Sequence, residues 1–278
     1  MRIDAHQHFW RIDRGDYGWL SADAHPAIAR DFLPADLAPL LDAAQIDRTI
    51  LVQAAPTEAE TRFLLALARA TPFVAGVVGW VDFAAADAPA RIARLCADPA
   101  LVGLRPMLQD IADEEWILDP AHGRVFDAMT RGRLRFDALV KPRHLPALAE
   151  FLERHPDLPV VIDHGGKPDI TRNGLTVWAT YIRHIGADTQ ALCKLSGLAS
   201  EAGSGWSAQT LEPYVEVLLD AFGPQRLMWG SDWPVLNEAG DYAGWLGVAD
   251  TLTAHLCAAD RAAIFGGTAA KFYGVGLS

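Results

Sequence analysis

The sequence predicts a single (β/α)8 barrel, the TIM fold, over residues 1–278, and three observations predict it. Eight short β-branched or apolar runs recur along the whole chain. They begin 24 to 46 residues apart, which suits β-helix-β units of roughly 30 residues or more. Between them lie amphipathic helical patterns, and no low-complexity tract or change of composition divides the chain. With 278 residues, 51% of them hydrophobic, the chain is ample for one large core, although its length also suits two small domains. An open doubly wound sheet is the structural rival, because periodicity does not show closure.

The elements follow in order. The first strand is "RIDAHQH" (2–8), where apolar and polar residues alternate, and the second is "RTILVQA" (48–54), a continuous buried run. "EAETRFLLALARA" (58–70) carries apolar residues at 63, 64, 67 and 68, an amphipathic helical stripe. "VAGVVGWV" (74–81), "LVGLRP" (101–106) and "RFDALV" (135–140) supply three further strands. "HLPALAEFLERH" (144–155) reads as a helix, leading to the strand "PVVIDH" (159–164). "ALCKLSG" (191–197), the helix "LEPYVEVLLDAF" (211–222) and "RLMWGSDWP" (226–234) complete the set. The long irregular pieces, 9–34, 107–119, 197–208 and 235–244, all follow strands, which in such a barrel places them on the active-site face. They carry Trp10, Tyr17, Trp19, Trp116 and Trp206, which either offer surfaces to a small polar ligand or pin the loops down.

Composition excludes several classes. A formal net charge of −11 argues against binding a phosphate backbone, and it suits a soluble protein. Cys96, Cys193 and Cys257 are odd in number and lack CxxC spacing, so neither a disulfide framework nor a thiolate zinc site is expected. The apolar positions near the start alternate with charges, so no signal peptide is expected, and no apolar run approaches a membrane span. The expectation is a cytoplasmic protein. No GxGxxG, GxxxxGK[ST] or GxSxG pattern points to a nucleotide or a nucleophile elbow.

"DAHQHFW" (4–10) raises the chemical question. On a helix His6 and His8 would point away from each other, about 200° apart. On a strand they share a face, roughly 7 Å apart along the chain. The C-terminal ends of the other strands are also polar: Gln53, Arg105, Lys141 just after the fifth strand, His164, Ser196 and Ser231–Asp232. Barrel interiors favour Val, Ile and Leu, so repeated polar residues at one end predict a functional mouth. A lone His is usually a satisfied buried imidazole, but His6, His8, His164 and Asp232 together make that reading the weaker one.

Imidazoles plus a carboxylate can bind one divalent metal such as Zn²⁺, here through His6, His8 and Asp232, and leave a position for water. Without a metal, the imidazoles donate to a carbonyl oxygen while Asp232 takes a proton from water. Asp4 and Asp163 are expected to face away from the barrel axis in a supporting role. "HGGK" (164–167) is either a tight turn or room for a ligand beside His164.

"DAHQHFW", "GLRP" (103–106), "VIDHGGKP" (161–168), "GSDWP" (230–234) and "FGGTAAKFYG" (265–274) together resemble the amidohydrolase superfamily. More narrowly, they resemble its sugar-lactonase branch, the L-fuconolactonase and L-rhamnonolactonase-like proteins. The resemblance runs from end to end. It implies metal-binding or carbonyl-polarising roles for His6, His8 and His164, with Asp232 as general base. Two-metal members carry a bridging Lys or Glu after the fourth strand and a His after the fifth, where this chain has Arg105 and Lys141. The resemblance therefore implies at most one divalent metal, and metal-independent catalysis is equally open.

The expected function is hydrolysis of a sugar-acid lactone to the aldonate, with Asp232, His164, His6 and His8 catalytic. Arg105, Lys141, Trp10 and Trp233 are expected to bind the substrate. A metal-dependent decarboxylase is the alternative reaction class, and a non-catalytic sugar binder ranks last. The expected partner is a small-molecule lactone, without nucleic acid or membrane.

Overall fold

The computed structural model describes residues 1–172 and 174–276. Eight strands form one parallel sheet in the order of the chain: β1 (Ile3–Gln7), β2 (Arg48–Val52), β3 (Val74–Gly79), β4 (Leu101–Leu104), β5 (Arg135–Ala138), β6 (Val160–Ile162), β7 (Leu192–Leu195) and β8 (Leu227–Trp229). The ends of the sheet meet. His8 N donates to Trp233 O and Asp232 N donates to His6 O, both at 2.8 Å. The open-sheet rival is thereby excluded, and the fold is a single-domain (β/α)8 barrel.

The helices between the strands are α1 (Pro34–Ala44), α2 (Glu58–Ala70), α3 (Ala88–Leu95), α4 (Gly123–Arg131), α5 (Leu145–Arg154), α6 (Leu175–Asp188), α7 (Leu198–Ala202) and α8 (Ala208–Phe222). After β8 come α9 (Tyr242–Leu252), α10 (Ala258–Ala262) and α11 (Thr268–Tyr273). Local signals start several of them. The Thr57 hydroxyl accepts from Glu60 N at 3.0 Å ahead of α2, and the Ser207 hydroxyl accepts from Thr210 N at 3.2 Å ahead of α8. On α2 the stripe that packs inward includes Leu64, Leu65 and Ala68, close to the predicted one.

Two apolar layers hold the barrel. Strand residues Ile3, Ala5, Ile50, Val52, Val78, Val102, Val161 and Met228 fill its interior and meet Ala269, Ala270 and Phe272 of α11, which closes the N-terminal end. A larger layer lies between the strands and the surrounding helices. Among the described residues no helix is long and apolar enough to cross a membrane.

The strands end earlier than the runs predict. β6 stops at Ile162 and β8 at Trp229, short of His164 and Asp232. Both of those residues adopt left-handed backbone, with φ of 55° and 59°, which no strand can continue.

Candidate active site

A cavity of about 490 Å³ opens at the C-terminal mouth of the barrel, lined in part by His8, Trp19, Arg105, Lys141, His164 and Asp232. Strict alternation along β1 would put Asp4, His6 and His8 on one face. A β-bulge between Asp4 and Gln7, set by the shift in pairing with β2, breaks that phase. Asp4 turns outward, where Oδ1 accepts from Ser231 N at 2.8 Å and Oδ2 accepts from the hydroxyls of Ser231 (2.6 Å) and Tyr242 (3.0 Å). His6 and His8 turn in, and their Nε2 atoms lie 3.2 Å apart.

The remaining groups come from turns. Asp232 Oδ1 stands 3.3 Å from His8 Nε2, 3.7 Å from His6 Nε2 and 3.8 Å from His164 Nε2. Asp4 helps to aim it, since the hydroxyl of Ser231 also accepts from Trp233 N at 3.0 Å, clamping both neighbours of Asp232. His164 Nδ1 meets Ser196 Oγ at 2.9 Å. Its ring lies against Gly197, where a Cβ would come within 2.6 Å of His164 Cγ, so only glycine fits. His8 Nδ1 lies 2.8 Å from Val52 O, a carbonyl that only accepts, so Nδ1 carries the proton and Nε2 presents a lone pair.

Arg105, 3% exposed, donates from Nη2 to Gln53 O and from Nη1 to Asp163 Oδ2 at 3.2 Å. Asp163 lies inside the barrel, contrary to the expectation that it faces away from the axis. Alternation along β6 carries from Val161, which faces the interior, to Asp163, and it is the left-handed turn at His164 that brings the next side chain into the site as well. Beneath the cavity, Lys194 Nζ on β7 sits 2.6 Å from Asp137 Oδ2, 3.0 Å from Asp163 Oδ1 and 3.2 Å from His6 Nδ1.

Burial sets the protonation of the imidazoles. It lowers His164 to about 4, against the opposing pull of Asp232 and Asp163. It also holds His6 well below the ordinary imidazole value, helped by the adjacent Lys194 and opposed by Asp163. Burial works against ionisation of Asp232 too, but His164, His8 and His6 around it outweigh that and keep its carboxyl below the usual range. At neutral pH the Asp232 carboxylate faces the neutral rings of His6 and His164.

The same donors fit a divalent metal in position. His6 Nε2, His8 Nε2 and Asp232 Oδ1 are mutually 3.2 to 3.7 Å apart. Ligands about 2.0–2.1 Å from a tetrahedral zinc lie roughly 3.3 Å from one another. A cation between His8 Nε2 and Asp232 Oδ1, 3.3 Å apart, would satisfy both atoms.

A sequence profile described as Amidohydrolase matches residues 3–275. The chain belongs to the amidohydrolase family. It is 48% identical over 277 residues to an L-fucono-1,5-lactonase of Burkholderia ambifaria, covering 98% of this chain and 95% of that protein. It is 40% identical over 285 residues to an L-fucono-1,5-lactonase of Burkholderia multivorans, covering 98% and 96%. A crystal structure of a Burkholderia multivorans amidohydrolase with bound zinc superposes with a TM-score of 0.94 at 38% identity, covering 99% of each chain.

In this amidohydrolase, the fold brings His6, His8, His164 and Asp232 together, with Arg105 and Lys141 on the same cavity. It does not bring Trp10 or Trp233 to the cavity wall. Trp10 is fully buried, donates from Nε1 to Arg30 O at 2.8 Å and packs edge-on against Phe32. Trp233 is 2% exposed and packs against Phe9 and Phe32. Both pin the loop after β1. Of the loop aromatics, Trp19 is the one at the cavity, hydrogen-bonded through Nε1 to Ala54 O at 2.9 Å. Sequence reasoning missed the rim pair His25–Glu238 (2.9 Å) and the buried Lys194–Asp137 pair. A lysine and an aspartate inside the apolar runs "ALCKLSG" and "RFDALV" were the available signal for the latter.

Proposed function

We propose that this chain hydrolyses a sugar-acid lactone, of the L-fucono- or L-rhamnono-lactone type, to the open aldonate. The observation that carries the reading is Asp232, an ionised carboxylate 3.3 to 3.8 Å from three imidazole nitrogens at the mouth of an amidohydrolase barrel. The lactonases of Burkholderia that match over nearly the whole chain support the substrate class.

The lactone lies in the cavity with its carbonyl oxygen toward His6, His8 and His164. Asp232 removes a proton from water as the oxygen adds to the carbonyl carbon. His6 and His164 stabilise the oxyanion by donated hydrogen bonds in a largely buried site. When the tetrahedral intermediate collapses, the ring C–O bond breaks and the ring oxygen takes the proton from Asp232 or His164. Arg105 and Lys141 attract the substrate's oxygens and the carboxylate as it forms. His6, His8 and Asp232 are the residues that would hold a divalent ion, which when bound supplies Lewis-acid polarisation of the carbonyl. The working partner is the small-molecule lactone, and the cytoplasm is the proposed compartment.

The test is a panel of aldonolactones in weak buffer with a pH indicator, where each turnover releases one acid equivalent. L-Fucono- or L-rhamnono-lactone among the best substrates supports the reading. Absence of turnover on every lactone, with CO₂ released from an aromatic or unsaturated acid, sinks it in favour of a decarboxylase.

A further inference from the structure

Lys194 is fully buried under the site, and nothing in the hydrolytic steps uses it. Its Nζ faces three acceptors: Asp137 Oδ2 at 2.6 Å, Asp163 Oδ1 at 3.0 Å and His6 Nδ1 at 3.2 Å. Tyr273 steadies the arrangement, its hydroxyl donating to Asp137 Oδ2 at 2.7 Å. An ammonium between two carboxylates has three N–H donors and no lone pair. Toward His6 it can only donate. Nδ1 of His6 must then present its lone pair, and the ring proton must sit on Nε2.

The other side of the ring reaches the same answer independently. Val52 O fixes the His8 proton on Nδ1 and leaves a lone pair on His8 Nε2. His6 Nε2 lies 3.2 Å from that lone pair, and a hydrogen bond between the two nitrogens needs the proton on His6. The competing arrangement places a proton on His6 Nδ1, aimed at Asp163 Oδ1. That oxygen is 3.5 Å from Nδ1 and lies closer, at 3.0 Å, to the Lys194 ammonium. Arg105 Nη1 donates to Asp163 Oδ2 at 3.2 Å and stands 3.4 Å from His6 Nε2, a longer approach than that of Lys194 Nζ to Nδ1 at 3.2 Å.

We propose that Lys194 is a positioning residue that fixes His6 with its Nε2–H turned toward His8 and Asp232, just beneath the cavity, making the ring a hydrogen-bond donor and a poor metal ligand. The proposal rests on the lactonase reading only for what the donor meets there, the carbonyl oxygen. Ligation through Nε2 requires the ring proton to move to Nδ1, directly against the Lys194 ammonium. The positions of the donors suit a metal, while the hydrogen bonds beneath His6 work against one of them.

The experiment uses the full-length protein and a charge-balanced variant, Lys194→Met with Asp137→Asn, because Lys194→Met alone strands two buried carboxylates. Long-range ¹H–¹⁵N spectra of histidine-labelled protein read which nitrogen of each ring is protonated, with His6 assigned by its loss in His6→Gln. The expected result is Nε2–H for His6 in the wild type and a shift toward Nδ1–H in the double variant. Zinc affinity, measured with Zn²⁺ alone in competition with a chromophoric chelator, is expected to rise about tenfold in the double variant. A lower kcat with little change in KM should accompany it. A wild-type His6 protonated on Nδ1 overturns the proposal even if the double variant fails to fold, as does a folded double variant with unchanged tautomer and zinc affinity. Neither readout needs a lactone, so failure of the lactonase reading is seen separately, as absence of turnover by a wild type whose His6 still carries Nε2–H.

Discussion

Asp232 Oδ1 lies 3.3 Å from His8 Nε2, although 224 residues separate them in the chain. Closure of the barrel between β1 and β8 makes that contact, and the backbone bond from Asp232 N to His6 O (2.8 Å) ties the carboxylate to the strand that carries both histidines. Asp232, His6 and His8 are therefore held across one hydrogen-bonded seam, and His164 joins them from the turn after β6.

Asp232→Asn is expected to lower kcat by about 10²–10⁴-fold while KM changes little, because proton abstraction is confined to the transition state. Asn tolerates the left-handed φ of 59° at this position, so the fold should survive. Steady-state kinetics on the best lactone check this, and near-normal turnover removes Asp232 from the mechanism.

Gly197→Ala tests the packing behind His164. A Cβ there would stand 2.6 Å from both Cγ and Nδ1 of the ring, at a φ of 67° that already disfavours alanine. Activity is expected to fall about 100-fold, by displacement of the ring. Ser196→Ala, which only removes the hydroxyl 2.9 Å from Nδ1, should cost about 10–100-fold with less effect on stability. Thermal melts alongside kinetics separate the two, and equal, small effects from both would show that the orientation of His164 does not matter.

Lys141→Met should act on binding. Lys141 lines the cavity half-buried, and no ion pair or side-chain hydrogen bond engages its amine among the described residues. Loss of that charge is expected to raise KM about tenfold, with kcat within about threefold. A kcat effect larger than the KM effect would assign the lysine to chemistry instead.

Glu60 gives a stability prediction with a definite sign. It is buried behind the loop that carries Ala54, accepts from the N–H groups of Ala54 (2.9 Å) and Ala55 (2.8 Å), and is pushed by burial from 4.5 up to about 7. Between those values the folded protein holds a proton that the unfolded chain has released, so stability falls as pH rises through the window. The Glu60 contribution is full below about 4.5 and gone above about 7. Glu60→Gln cannot titrate. Relative to wild type it should gain on the order of 2–3 kcal/mol between pH 4.5 and pH 8. Urea unfolding at the two pH values measures the difference, and a constant offset between the proteins contradicts it.

The alternation of eight apolar runs with amphipathic helices, and the polar residues gathered at one end of those runs, were legible in the sequence by itself. Both are local patterns, fixed by the period of strand and helix, and they predicted the strand–helix alternation and singled out His6, His8, His164 and Asp232 as a set, while closure of the sheet stayed open until the structure showed it. Tertiary structure alone decided the rest. Asp4 faces away from the axis as expected, but the bulge in β1 that lets both histidines turn in, and the left-handed turns that aim His164 and Asp232, leave no periodic trace because they depart from regular backbone. The burial of Trp10 and Trp233, and the meeting of Lys194 with His6 across 188 residues, follow from which faces the closed barrel brings together. A one-dimensional pattern records which side of its own strand a residue occupies, but distances between strands exist only once the sheet has closed.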